Sequence, residues 1–285
     1  MKRAGIILTF IGLAVGTGVY AAFGGVDGDD PRAFLAMPVY AIAVIGMLLY
    51  YRGRQIEAKT IASGPGNPLH DPGQHILYLR AFRTDPSGFS KVVRASLATE
   101  EEQLGVVLRP FGALIAVGRP GERLPVPGAA RMYATDAEWQ RLVHDQMRVA
   151  RLVVIRAGGG AGLLWEIEQA FHTVAPERLL ILVLSLPLNE YETFARQIRE
   201  RCRVILPTIG KAGLSGFMGS TRQRLGAASP GFVTFDASWT PTFLPLPFAL
   251  GQTGFNDLRK PFNVALRPVF ERSGVSWRDV GRLSS

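Results

Sequence analysis

Two apolar runs open the chain, over residues 4–23 and 33–51, and neither contains a charged side chain. Each is close to the roughly 20 residues that an α-helix needs to cross the hydrocarbon of a bilayer. A secretory signal is a poorer reading of the first run. Lys2 and Arg3 resemble a signal's charged head, but the apolar stretch exceeds a signal core of about 7–15 residues and a second run follows at once. The pattern predicts a transmembrane hairpin over 1–51. Gly12 and Gly16 form a small-xxx-small pair for close helix packing. Lys2 and Arg3 before the first run, and Arg52, Arg54 and Lys59 after the second, place both flanks on the cytoplasmic side. Asp27, Asp29 and Asp30 then lie in a short outer loop, and Tyr20, Tyr50 and Tyr51 suit the interfacial belt. The expected location is the cytoplasmic membrane, with both termini cytoplasmic.

Residues 52–74 lack a periodic apolar face and hold Gly64, Pro65, Gly66, Pro68, Pro72 and Gly73, which reads as a linker. Beyond it, short apolar strands alternate with helical patterns. Strands are expected over 75–82, 114–117, 151–156 and 179–186, the last apolar almost throughout, as a central parallel strand should be. Thr99 with Glu102, and Thr135 with Glu138, have capping-box spacing for two helices. The first should stop at Arg109, before Pro110; the second should bury Trp139, Leu142, Val143, Met147 and Ala150. Helices over 163–174 and 191–201 follow, and 119–134 and 208–230 read as loops. The alternation predicts an α/β fold over 75–206 with a mostly parallel sheet flanked by helices. The segment 207–285 reads as a C-terminal extension. It holds an edge strand over 232–235 and a final amphipathic helix with Leu258, Phe262, Leu266 and Phe270 at intervals of four, started by Pro261 and kinked by Pro268. That helix is expected to cover the sheet rather than lie on lipid.

The net charge of +9 suits nucleic acid or an anionic membrane surface. The hairpin makes the bilayer the simpler partner and nucleic acid a disfavoured one. Arg196, Arg199, Arg201 and Arg203 read as a solvated helix face or a leaflet contact. Cys202 is the only cysteine, so no internal disulfide can form. His70, His75, His144 and His172 have no metal-ligand spacing, so no metal site is predicted.

Candidate chemistry gathers where the third strand meets its helix. Gly158, Gly159, Gly160 and Gly162 lie there, where backbone donors can approach a phosphate and a helix N-terminus favours negative charge. No lysine followed by serine or threonine closes the turn, so it is not a P-loop. Leu163 occupies the sixth position of a dinucleotide fingerprint begun at Gly158, so that motif fails as well. Glu166 is expected in the first turn of the helix, at the edge of a core stripe made by Leu163, Ile167, Ala170, Phe171 and Val174. Glu168 turns further to solvent, so the two acids do not share a face. Trp165 should point away from the core, as a lid or stacking surface. An acid that only complements the helix dipole, and a tryptophan that packs on a neighbour, are the plain alternatives.

The order of these elements resembles a TIR-type domain over 75–174. Leu79-Arg80-Ala81-Phe82-Arg83-Thr84-Asp85 is similar to the family's first box, with Ala81 at its usual serine. The Pro- and Gly-containing stretch 119–128 resembles the loop after the second strand, and 152–155 with Trp165 resembles the third strand and the Trp-containing helix. Enzymatic TIR domains carry a glutamate four residues after that tryptophan; this chain has Gln169. Trp165-Glu166-Ile167 is instead similar to the glutamate motif of the related nucleoside deoxyribosyltransferases. The resemblance implies binding, and cleavage at the N-glycosidic bond, of NAD or a related nucleotide as substrate. Glu166 would be catalytic, Arg80 or Arg83 would hold the pyrophosphate, and Gly158, Gly159, Gly160, Gly162 and Trp165 would line the ligand. Nicotinamide leaves as a neutral molecule, so one carboxylate near the ribose suffices and no cofactor is required. The alternative is a membrane-tethered signalling or interaction module without catalysis, self-associating through the TIR-like domain as a homo-oligomer.

Overall fold

A computed structural model describes residues 44–46, 48–50, 75–81, 100–117, 129–132, 134–135, 137–211, 226–247 and 258–275. The chain divides into two compact units, Met1–Thr60 and Ile61–Ser285. In the first, residues 44–46 and 48–50 are helical, and Val44, Ile45 and Leu48 are exposed. Among the described residues no helix is long and apolar enough to cross a membrane. The predicted span 4–23 lies outside the described residues, as does most of 33–51.

The second unit is built on one seven-stranded sheet in the order β3-β2-β1-β4-β5-β6-β7. Its strands are β1 (His75–Leu79), β2 (Ala113–Val117), β3 (Ala130–Met132), β4 (Leu152–Arg156), β5 (Leu179–Val183), β6 (Gly231–Phe235) and β7 (Pro241–Pro245). The first five are mutually parallel. β6 runs antiparallel to β5, and β7 antiparallel to β6. Every residue of β1 and β5 is buried, the mark of strands covered on both faces.

Alternation sorts the side chains into two cores. Leu77, Leu79, Val153, Ile155, Ile181 and Val183 point to one face. There α2 (Trp139–Val149), α3 (Ala161–Thr173) and α4 (Leu188–Cys202) cover them with Val143 and Met147, with Leu163, Ile167 and Ala170, and with Tyr191, Phe194 and Ile198. Ile76, Tyr78, Val154, Leu180, Leu182 and Phe232 point to the other face. That face is covered by α1 (Glu100–Leu108), α5 (Arg259–Ala265) and α6 (Arg267–Arg272).

Several expectations need correction. The loop over 119–134 contains β3, an edge strand of three residues too short to show periodicity. The strand over 232–235 is interior, because β7 pairs along its whole length. Pro241 and Pro245 bound β7 and hid it; an outermost strand tolerates missing donors. The pairing is close: a side chain on Gly231 would sit 2.5 Å from the Phe243 ring. The final helix is two short helices: α5 starts at Arg259, ahead of Pro261, and Pro268 lies in the first turn of α6 rather than kinking a continuous helix. Leu258, Phe262, Leu266 and Phe270 are nonetheless all buried against the sheet, as expected. Within 207–285 the described residues supply β6 and β7 to the sheet and α5 and α6 to its cover. The Thr135–Glu138 box also differs. Thr135 donates its hydroxyl hydrogen to the Glu138 carboxylate at 2.7 Å, and no side chain caps α2. Thr99 lies outside the described residues.

Candidate functional site

The strand order reverses between β1 and β4. From β1 the chain steps outward through β2 and β3, then returns to β4 on the other side of β1. Right-handed crossovers therefore put α1 and α3 on opposite faces and leave a crevice at the carboxyl ends of β1 and β4, where open α/β sheets bind ligands. The crevice has two unlike walls.

The α3 wall is bare backbone. β4 ends at Arg156, and Ala157, Gly158, Gly159 and Gly160 lead directly into α3. Gly158 is buried; Gly159 and Gly160 are exposed. Gly160 has φ +125, a conformation that L side chains rarely adopt, and no side chain caps the helix. The first intrahelical bond runs from the Leu164 amide to the Gly160 carbonyl at 3.0 Å. The amides of Ala161, Gly162 and Leu163 thus lack helical acceptors, as at any helix start. A methyl group at Gly159 would meet nothing within 4 Å.

The α1 wall is a charged network. Arg80, which continues β1, has its Nε 2.9 Å from Oε1 of Glu101. Arg156, the last residue of β4, has its Nε 3.5 Å from Oε1 of Glu100 and donates to the Leu184 carbonyl at 3.3 Å. The register pairs Leu79 with Ile155, so the two arginines lie side by side on adjacent strands. Tyr78 is buried beneath them. Burial first, then the nearby Glu100 carboxylate, pushes its phenol far above the ordinary range. Arg156, Glu100 and Glu101 were not among the candidates. The signal was the two-residue alternation that puts Arg80 and Arg156 on one face at two strand ends. Ser185, just beyond β5, is a further unpredicted feature: it is exposed with φ 53, a costly conformation outside glycine.

Glu166 sits differently from expectation. α3 begins at Ala161, so Glu166 is in the second turn, and the first turn carries no acid. It is set back about 7 Å along the axis from the helix start. It is only 4% exposed. Burial alone pushes its carboxyl from the ordinary 4.5 up to about 8, with no neighbouring charge contributing. At neutral pH the group is a protonated acid, able to donate a hydrogen bond but carrying no charge.

Trp165 does not stand free. Its ring meets Trp139 edge to face at 4.9 Å and 74°, joining α3 to α2, so the lid expectation gives way to packing. Glu168 reaches solvent, as expected, and lies 3.4 Å from Arg201 of α4. Arg83 lies outside the described residues. The fold thus brings Arg80 and the glycine turn to neighbouring strand ends. Glu166 is held back inside the helix layer of the face opposite Arg80. Among the described residues no cluster of His, Cys, Asp or Glu could hold a metal ion.

Fold and crevice together define a doubly wound α/β domain with a mixed sheet. No family model, curated protein or solved structure matches the chain.

Proposed function

We propose that the protein is a membrane-anchored TIR-like module, facing the cytosol, that binds NAD or a related nucleotide at the carboxyl edge of its sheet. The observation that carries this reading is the uncapped start of α3, preceded by an open glycine turn, at the strand-order reversal. Free amides and a helix dipole there suit a phosphate. The order β2-β1-β4-β5-β6 supports the TIR-like and flavodoxin-like comparison, since it repeats the 2-1-3-4-5 arrangement. The departures are an antiparallel β6 and the added outer strands β3 and β7. Exposed apolar residues Val44, Ile45 and Leu48, in the helical residues 44–46 and 48–50, support the anchor. Hydrolysis is the secondary part of the proposal, because Glu166 must first lose its proton before it can stabilise an oxocarbenium-like transition state.

The test uses the full chain in lipid nanodiscs. NAD binding is followed by calorimetry and nicotinamide release by chromatography. Gly159→Ala is the decisive variant, since the free protein has room for the methyl group. It should leave melting unchanged and weaken NAD binding at least tenfold. Wild-type affinity in that variant refutes the site. A second reading is favoured by Trp165, Arg80 and Glu168, which are all engaged within the protein: a tethered interaction module that self-associates without catalysis. A wild-type chain that binds no nucleotide but forms oligomers in light scattering supports that reading.

A further inference from the structure

The described part of the sheet unit is electrically polar from edge to edge. Helices α1 to α4 each follow a parallel strand and run back across the sheet, so they all end at its amino edge. Basic residues collect there. Arg109 follows α1, Arg148 ends α2 and Arg151 precedes β4; Arg199, Arg201 and Arg203 close α4. All six are exposed. Among the described residues, Glu177, Glu200, Asp236 and Glu271 also lie toward this edge and Arg201 is paired with Glu168, but Arg178 and Arg272 join the six arginines, so positive charge still outweighs negative. The carboxyl edge is closer to balanced: Glu100, Glu101 and Glu102 open α1, and two of them face Arg156 and Arg80. Two apolar side chains accompany the arginines. Val149 is exposed, and Ile205, just beyond the left-handed cap at Arg203, is 67% exposed.

We propose that this amino edge docks onto anionic lipid headgroups, so that the glycine turn at the opposite edge faces away from the bilayer. The inference rests on the membrane anchor of the proposed function. Chain connectivity favours lipid over other anionic partners. The linker enters β1 at His75, which is the amino edge itself, downstream of both apolar runs. Residues 52–74 can reach at most about 80 Å, so an anchored N-terminus would tether this edge to the leaflet. A tether of this kind raises the effective concentration to the millimolar range, and a weak patch then suffices. Basic residues near an anionic leaflet each strengthen binding by about fivefold, and the effect fades within a Debye length. Arginines at helix C-termini also complement helix dipoles. That role is independent of lipid and does not require the exposed Ile205.

The experiment uses the full chain. Flotation with vesicles in high salt first reads the anchor. A chain that stays soluble removes both the anchor and this inference. With the anchor present, a Cys202→Ser, Ile205→Cys chain carries a nitroxide at 205 in nanodiscs of phosphatidylcholine alone or with phosphatidylserine. The label should become accessible to oxygen and shielded from an aqueous relaxation agent only with phosphatidylserine. High salt should reverse the change. Replacing Arg199 and Arg203 together by Gln should weaken docking by about 25-fold, with circular dichroism unchanged. Equal label exposure in both lipids while the chain remains anchored overturns the docking surface and leaves the anchor standing. Retention of duplex DNA through the same arginines, with no lipid dependence, overturns it in favour of nucleic acid.

Discussion

Glu166 makes stability depend on pH in a direction opposite to that of a paired carboxylate. Its pKa is raised by burial to about 8 in the folded protein, against an ordinary 4.5. In the unfolded chain the proton leaves near the ordinary value, and in the folded chain it stays. Between these limits the folded state binds more protons, so stability falls as pH rises. The slope is about 1.4 kcal/mol per pH unit. The loss accumulates to on the order of 3 kcal/mol by pH 7 and levels off above the folded pKa. Glu166→Gln is nearly isosteric and cannot ionise. Urea denaturation of both proteins at pH 5, 7 and 9 should find them within about 1 kcal/mol at pH 5, with the variant more stable by roughly 3 kcal/mol at pH 7. Asp236 is held below the ordinary range by the backbone amide of Thr240 and then that of Ser238. It acts equally in both proteins and cancels in the difference. The same reasoning fixes the activity profile: nicotinamide release that uses the Glu166 carboxylate should rise with pH towards about 8. A variant whose stability tracks wild type at all three pH values refutes the buried, protonated acid.

Two further outcomes follow from the contacts around the crevice. Arg80→Gln leaves the buried Glu101 carboxylate without its 2.9 Å guanidinium and should cost about 3–5 kcal/mol in urea denaturation; adding Glu101→Gln should recover part of that, and purely additive effects would show that the pair does not interact. Trp139→Ala and Trp165→Ala in a double-mutant cycle should give a coupling of about 1 kcal/mol from the edge-to-face contact; zero coupling, with NAD affinity lost in Trp165→Ala, would return Trp165 to the role of a ligand lid.

The sheet was legible wherever strands were wholly apolar. β4 and β5 lie within one to three residues of their expected bounds, because burial on both faces writes a continuous apolar run. β3 and β7 were not legible. The first is three residues long, and the second is bounded by prolines that usually signal a turn. Apolar spacing over 258–270 identified the buried face but not the break, since two helices meeting at Leu266 keep the same side chains inward. The glycine turn was readable because glycines cluster where a strand hands over to a helix. The Arg80–Glu101 and Arg156–Glu100 contacts were not, because they join residues that only the crossover brings together. Glu166 was found but misplaced by one turn. Helix α3 starts two residues earlier than its apolar stripe, on Ala161 and Gly162, which carry little periodic signal.

That displaced turn sets a geometric condition on any catalysis by Glu166. A helical side chain leans towards the N-terminus and lies over the residue four positions earlier. For Glu166 that residue is Gly162. To act at the helix start, where a bound sugar would meet the free amides, the carboxyl must pass over this position, which carries no side chain. A methyl group at Gly162 would sit 4.0 Å from the Trp139 ring, an ordinary contact that needs no rearrangement. Alanine is also the better helix former, by about 0.5–1 kcal/mol. Gly162→Ala should therefore raise the melting temperature while depressing Glu166-dependent nicotinamide release at least tenfold, with NAD binding at the glycine turn retained. Destabilising substitutions often lower activity for trivial reasons, but a stabilising one that does so isolates the path itself. If Gly162→Ala gains stability and keeps full activity, Glu166 does not act across Gly162, and the tethered interaction module becomes the better description of this domain.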